Sequence, residues 1–452
     1  MANVGRRHPM RPIRRDRSRA LQISLREQAR LPWNENEEEP LGSQGRRMAV
    51  RFRGLAARIP STTYGSFGLY RYPAKFIPHV IAYILERYAH PGMSAIDPFA
   101  GSGTTGLVAR LYGVHYELWD LNPMLQLLHD VAILPPPEAL DVDALIQSVR
   151  NSSYRFRPRW KNLLYWFPEP IVEVLERAFG YYHHEEDPRR KSLLVVPLLK
   201  VMRAFSYNDP QRQKLSRSPL AFRRVAELME GDWQSRFYAM LRKELMETIQ
   251  RLREYQNLSP QRVQAVIRAG MDAIDYSAHA DGTWDLLITS PPYLQAQEYI
   301  RNSKLDLVWL GYSEEEIRGL ARAELPYREV KPIPIHSPTY WEYWSGIAED
   351  SMRRVFERYF WAVLTVLGNL APHIRERMFL FVGPASIRSR PIPIDQILVE
   401  HFVAMGWQHE ATLIDSIAAR VMFRSRFNPA TGLEDRRMPT EHLVILKKVQ
   451  EP

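Results

Sequence analysis

Hydrophobic positions along this chain alternate between two periods. Short apolar runs bounded by turn formers read as buried strands: Ser94-Ala95-Ile96-Asp97, Tyr116-Glu117-Leu118-Trp119-Asp120, Asp285-Leu286-Leu287-Ile288-Thr289 and Met378-Phe379-Leu380-Phe381-Val382. Between the first two, apolar residues at helical spacing run from Thr104 to Tyr112, and a similar stretch from Val80 to Tyr88 precedes them. Strand, glycine turn, helix and strand in quick succession make a βαβ unit, hence parallel strands with a right-handed crossover. The alternation then stops. Residues 124–262 carry long helical patterns, Ser192 to Phe205 and Ala221 to Tyr255, and predict a mostly helical insertion. The sheet resumes at Val263-Gln264-Ala265-Val266-Ile267, and an amphipathic helix covers Ile347 to Leu370. Glu410 to Ile414 and His442 to Leu446 predict a closing antiparallel pair, joined by an Arg-rich connection. Residues 1–60 read as a basic arm with the composition of a disordered segment. The α/β domain is therefore expected at 61–123 and 263–452, and no internal repeat is found.

Composition narrows the class. A chain of 452 residues exceeds one ordinary core. No run approaches the ~20 apolar residues of a membrane span. The Arg-rich start, Met1 to Arg30, lacks the apolar centre of a secretory signal. Asp16, Glu27 and Glu37-Glu38-Glu39 argue against a mitochondrial presequence, so a cytoplasmic location is expected. The absence of cysteine removes disulfides, zinc–thiolate sites and cysteine nucleophiles. The histidines, including His183-His184 beside Glu185-Glu186, show no metal-ligand spacing, so no metal is expected. A net charge of +10 favours a polyanionic partner, nucleic acid first.

Two loops carry the chemistry. The first, Asp97-Pro98-Phe99-Ala100-Gly101-Ser102-Gly103-Thr104-Thr105, lies between a strand and a helix. Gly101 and Gly103 let the backbone approach a ligand, and the N–H groups of Thr104 and Thr105 open a helix whose positive end suits an anion. Thr104 stands where a triphosphate loop needs Lys, whereas Gly106 completes dinucleotide-like spacing, so this loop alone is ambiguous. Asp120 ends the second strand, placed to accept from a ribose, and Asp272 ends the next sheet strand, placed to accept from an adenine amine. The second loop is Thr289-Ser290-Pro291-Pro292-Tyr293. Two prolines cannot continue a central strand, so the chain leaves the sheet where doubly wound folds hold ligands. A hydroxyl, a carbonyl and an aromatic face are fixed together there, a tool for holding a flat, amine-bearing ring.

With these residues in order, the chain resembles the S-adenosylmethionine-dependent DNA amino-methyltransferases, which methylate N4 of cytosine or N6 of adenine. The resemblance covers about residues 70–123 and 263–448. Asp97 to Gly103 is similar to the family's cofactor motif, Tyr72-Pro73-Ala74-Lys75-Phe76 to the segment closing over the methionine end, and Thr289 to Tyr293 to its catalytic motif. The resemblance implies a Rossmann-like, seven-stranded, mostly parallel α/β sheet with a C-terminal antiparallel hairpin. It implies S-adenosylmethionine held by Tyr72, Pro73, Lys75, Asp97, Phe99, Gly101, Gly103, Thr104, Thr105, Asp120 and Asp272. It further implies a base swung out of the duplex, with Ser290, Pro291, Pro292 and Tyr293 catalytic.

Ser290 at the first position of the motif resembles the cytosine-N4 enzymes; adenine-N6 enzymes more often carry Asp or Asn there. The expected activity is N4-cytosine methylation of a specific site in double-stranded DNA, as the modification half of a restriction–modification system with a cognate endonuclease. Adenine N6, an RNA substrate and a catalytically silent DNA-binding subunit are the rivals. The polar loop of the insertion supplies the candidate DNA contacts Asn208, Gln211, Arg212, Lys214, Ser216 and Arg217, joined by Arg301 after the catalytic motif. Ser153 to Lys161, which alternates cations with aromatics, is a further candidate. The insertion falls earlier than the family's usual recognition region, so the N-terminal arm and Arg420 to Arg437 compete for that role.

Overall fold

Eight strands make one sheet in the computed structural model, which describes residues 45–449 apart from 74, 213, 295–297, 326–327, 384, 388–389 and 417–439. Most of the N-terminal arm and the Arg420 to Arg437 stretch lie outside the described residues. In chain order the strands are β1 (Arg46–Val50), β2 (Ser94–Asp97), β3 (His115–Asp120), β4 (Ala265–Ala269), β5 (Trp284–Thr289) and β6 (Ile374–Val382). A small separate hairpin follows, β7 (Ala385–Ile387) and β8 (Arg390–Ile392), before β9 (Trp407–Ser416) and β10 (Thr440–Lys448) return to the sheet. The order across the sheet is β1-β9-β10-β6-β5-β2-β3-β4. Only β10 runs antiparallel to its neighbours. Seven of these strands form the expected Rossmann-like methyltransferase sheet with its terminal hairpin. The eighth, β1, adds an edge beside β9.

The period of two along each strand sends alternate side chains to two cores. Leu286 and Ile288 of β5, Phe379 and Phe381 of β6, and Leu443 and Ile445 of β10 enter one. Leu287, Met378, Leu380, Val444 and Leu446 enter the other. Burial on both faces explains why these strands read as continuous apolar runs.

Sixteen helices lie among the described residues. The first four are α1 (Phe52–Leu55), α2 (Pro78–Tyr88), α3 (Thr104–Tyr112) and α4 (Met124–Ala132). The insertion continues with α5 (Val142–Arg150), α6 (Leu163–Trp166), α7 (Glu169–His184), α8 (Pro188–Ala204), α9 (Pro219–Leu228) and α10 (Trp233–Gln256). After β4 come α11 (Ala273–Ser277), α12 (Tyr299–Trp309), α13 (Glu314–Ala323), α14 (Pro338–Ser345), α15 (Asp350–Leu370) and α16 (Ile394–Ala404). No described helix is long and apolar enough to cross a membrane.

Two expectations are corrected. The arm does not extend to residue 60: β1 joins the sheet, Arg47 pairs with buried Asp395 at 2.8 Å, and Phe52 of α1 is buried against Tyr83 and Phe381. In β1, the inward Met48 and Val50 give an alternation of only two positions, too short to announce a strand among the arginines. The continuous pattern from Ala221 to Tyr255 is two helices, α9 and α10. Gly231 takes φ +59°, and Asp232 caps the second helix by accepting the Ser235 N–H at 3.2 Å. The insertion is tied to the α/β domain rather than hung from it, since the Tyr255 hydroxyl at the end of α10 donates to the Leu107 carbonyl of α3 at 2.8 Å.

Candidate active site

The order of strands reverses between β2 and β5, and a cleft opens at their carboxyl ends. Tyr72, Pro73, Phe99, Gly101, Asp120 and Asp272 line it, as do Ser290 and Pro292. The two loops singled out by sequence therefore share one cavity.

A network of hydroxyls and carboxyls lies beneath and beside the cleft. Asp97, 1% exposed, accepts from Thr105 Oγ1 of α3 at 2.5 Å, from Thr289 Oγ1 of β5 at 2.6 Å and from the Phe99 N–H at 3.1 Å. Burial outweighs these donors and pushes its carboxyl up to about 6. Asp97, Gly103, Thr104 and Thr105 sit behind the cleft wall and not on it. Asp120 at the end of β3 accepts from the Gly101 N–H at 2.7 Å and the Asn122 N–H at 2.8 Å, and burial lifts it to about 7. Gly101 turns with φ +57°, and a Cβ there would come within 3.2 Å of the Tyr72 ring. A side chain would therefore both strain the turn and fill the cradle.

Other predicted residues have partners away from the cleft. The Lys75 ammonium donates to the Phe67 carbonyl, and burial lowers it to about 8. Asp272 lines the cleft, but its Oδ1 caps α11 at Ile274 N (2.9 Å), and its other oxygen pairs with Arg328. The Tyr293 hydroxyl donates to Glu441 of β10 at 3.0 Å. Tyr293 and Pro291 are not among the lining residues.

Residues that sequence reasoning missed complete the walls. Asn122 Nδ2 donates to the Tyr72 hydroxyl (3.2 Å) and to Ser303 Oγ of α12 (2.9 Å), clamping Tyr72 over the glycine turn. Tyr299 and Glu324 face the cleft from the segments after the catalytic motif. Burial raises Glu324 to about 7. The signal available for Asn122 was the turn Asn122-Pro123 ending β3; Glu324 carried none, because it reaches the cleft from a separate helix end.

A second cavity adjoins the first and shares Tyr72 and Pro73 with it. Arg71, Lys200, Arg203, Arg212 and Arg224 line it beside Asn208, and no acidic residue does among the described residues. Among the described residues, Arg71 and Arg224 donate only to backbone carbonyls, of Pro210 for the first and of Ser206 and Asn208 for the second. Their charge is not cancelled by a contacting carboxylate in these bonds.

The described residues of the insertion's polar loop close as a small hairpin. Asn208 bridges Arg217, and its Oδ1 accepts the Ser216 N–H at 3.2 Å. Gln211, Arg212 and Lys214 are exposed at its tip. Arg217 is instead held among aromatic rings, 4.0 Å from the Tyr165 centroid and 4.4 Å from that of Phe222. Arg301 pairs with Glu298 at 2.8 Å. Between Ser153 and Lys161, Trp160 is buried and Phe156 packs on His183, while Arg155, Arg157 and Arg159 stay exposed. No cluster of metal-binding side chains occurs among the described residues.

The fold and cleft define a Rossmann-like methyltransferase architecture in which the two loops singled out by sequence meet at one switch point. No family model and no solved structure matches the chain. It is similar to the type II methyltransferase M.BsoBI of Geobacillus stearothermophilus, 23% identical over 280 residues that span 56% of this chain and 54% of that protein. It is also similar to the type II methyltransferase M.MvaI of Kocuria varians, 23% identical over 418 residues, 83% of this chain and 89% of that protein. A shorter stretch of 66 residues is 36% identical to M.MjaII of Methanocaldococcus jannaschii, covering 15% of this chain and 12% of that one. The chain thus spans about half the length of M.BsoBI and most of M.MvaI. These relatives agree with the amino-methyltransferase family that the two motifs resemble.

Proposed function

We propose that this protein is a site-specific DNA methyltransferase that modifies N4 of a cytosine extruded from double-stranded DNA, acting as the modification enzyme of a restriction–modification system. The observation that carries the reading is that Ser290 and Pro292 line the same cleft as Gly101, Asp120 and Asp272. S-adenosylmethionine fits this donor set: strand-end acids for its hydroxyls and amine, apolar walls from Phe99 and Leu325, and a glycine cradle under Tyr72. When bound, it supplies a methyl group on a sulfonium centre.

The remaining work falls to the chain's own residues. Asp120 accepts from the ribose, and an adenine amine reaching Asp272 competes with Arg328 for that carboxylate. Tyr293 stacks on the extruded base. The exocyclic amine is a weak nucleophile because its lone pair is delocalised into the ring. Ser290 Oγ and the Pro291 carbonyl accept its two N–H bonds and turn that pair out of the ring plane toward the methyl. Holding the amine in line with the methyl can remove up to ~7–11 kcal/mol of the barrier. The cationic cavity beyond Tyr72 and Pro73, together with the exposed loop tip, suits phosphates next to the extruded base.

The test is incubation with labelled cofactor and plasmid, followed by digestion to nucleosides. N4-methylcytosine is expected, and Ser290→Ala and Tyr293→Ala should abolish it while cofactor still binds. N6-methyladenine would overturn the choice of base, and label in RNA alone would overturn the choice of substrate. Binding of DNA with no transfer to any base would leave the silent-subunit reading standing instead.

A further inference from the structure

Helix α12 begins just after the catalytic motif, yet its own N-cap residue does not cap it. Glu298 makes no side-chain cap bond and reaches instead toward Arg301 (2.8 Å) and Lys214 (3.6 Å). The helix end is served from the far side of α13. Glu324, 6% exposed, accepts the Ile300 N–H at 2.9 Å and faces the neighbouring Tyr299 N–H. These are the first two amides of the helix, otherwise without intrahelical acceptors.

A cap needs only an acceptor oxygen. Here that oxygen belongs to an acid that also lines the cofactor cleft with Asp120, and no lysine or arginine lines that cleft among the described residues. Glu298 and Asp120 both disfavour its charge, and Tyr299 packs beside it, so an ionised Glu324 costs stability that capping does not require. Ligand donors in the cleft would offset that cost.

We propose that Glu324 is a second ligand-facing carboxylate of the cofactor cleft, working alongside Asp120, and that the same group seats helix α12 behind the catalytic motif. The inference rests on the reading that the cleft takes S-adenosylmethionine, whose hydroxyl and ammonium donors Glu324 would accept. Cofactor loading and the seating of α12 then share one side chain. Asn302, Ser303 and Asp306 of that helix reach the insertion and Asn122, so the seat extends to both cavities.

The experiment compares the full-length protein with Glu324→Gln and Glu324→Ala. Binding of S-adenosylmethionine and S-adenosylhomocysteine is measured by calorimetry at pH 6 and pH 8, and hydrogen exchange is followed across residues 298–309. Gln keeps an acceptor for both amides, so exchange protection should survive in Glu324→Gln and fall in Glu324→Ala. Glu324→Gln should nevertheless bind cofactor about tenfold more weakly at pH 8. It should also lose part of the weakening that wild type shows at pH 6, where Glu324 takes up a proton. Wild-type affinity in Glu324→Gln at both pH values would reduce Glu324 to a cap and overturn the inference. Failure of the wild-type protein to bind either molecule would overturn the cofactor reading of the cleft, and this proposal with it.

Discussion

Replacing Asp97 by Asn should make the ligand-free protein more stable at alkaline pH. Asp97 is 1% exposed and joins β2, α3 and β5 through three accepted hydrogen bonds, yet its carboxyl is raised from 3.8 to about 6 because burial dominates. A raised acid favours the folded state while it is protonated. Its contribution is full below the unfolded value and is lost as pH climbs through about 6. The displacement corresponds to about 3 kcal/mol of ionisation cost by pH 8. Asparagine has the same shape, and the Thr105 and Thr289 hydroxyls can each donate or accept, so the bonds can be remade with an amide. Urea unfolding at pH 5, 6.5 and 8 would measure this. The variant should gain on wild type by about 1.4 kcal/mol between pH 5 and pH 8, the rest of the cost falling between the unfolded value and pH 5, while binding cofactor more weakly. A difference between the two proteins that does not change with pH, or that favours wild type increasingly as pH rises, would refute the argument. Asp97 would then be ionised throughout and compensated by its hydroxyl donors.

Further outcomes follow from the same geometry. Gly101→Ala places a Cβ 3.2 Å from the Tyr72 ring in a left-handed turn, which costs ~1–2 kcal/mol. Calorimetry should show cofactor affinity falling at least as steeply as stability, and unchanged affinity would show that the cradle is not used. Arg71→Ala and Arg224→Ala remove charges whose bonds, among the described residues, run only to backbone carbonyls. Each should lower the slope of log DNA affinity against log salt by about 0.9 for a duplex phosphate contact, and an unaltered slope would remove that arginine from the DNA path. Arg217→Ala should instead lower the stability of the loop by about 1–2 kcal/mol through loss of its aromatic contacts, with little change in salt slope.

The parts legible from sequence are those where one local pattern admits one structure. Leu286, Leu287 and Ile288 could only be a buried strand once Pro291 and Pro292 ended it, and α3 runs from Thr104 to Tyr112 as its spacing predicts. Asp120 and Asp272 reach the cleft because a strand's carboxyl end is a fixed address in this kind of sheet. What was hidden depended on partners distant in sequence. Glu324 meets Ile300 across 24 residues, and Lys75 turns to the Phe67 carbonyl, a backbone group with no residue-type signature. Arg217 has the composition of a base-reading side chain but lies among Tyr165, Tyr207 and Phe222, which come from different helices and loops. β1 was illegible for another reason. Its apolar part is only Met48, Ala49 and Val50 between arginines, too short a run to read as a strand.

The Arg203–Asp306 pair bears on modularity. Arg203 belongs to the insertion and Asp306 to α12 of the α/β domain; the aspartate is fully buried, with Arg203 Nε at 2.8 Å and a further Arg203 donor on the Asn302 carbonyl. A chimera made by exchanging residues 124–262 for the corresponding stretch of a relative would cut through this bond. Unless the incoming helix restored a cation, it would leave a carboxylate sealed without its partner, a defect worth about 3–5 kcal/mol. The insertion is therefore not exchangeable as one segment: α12 belongs with it and must be transplanted together with it.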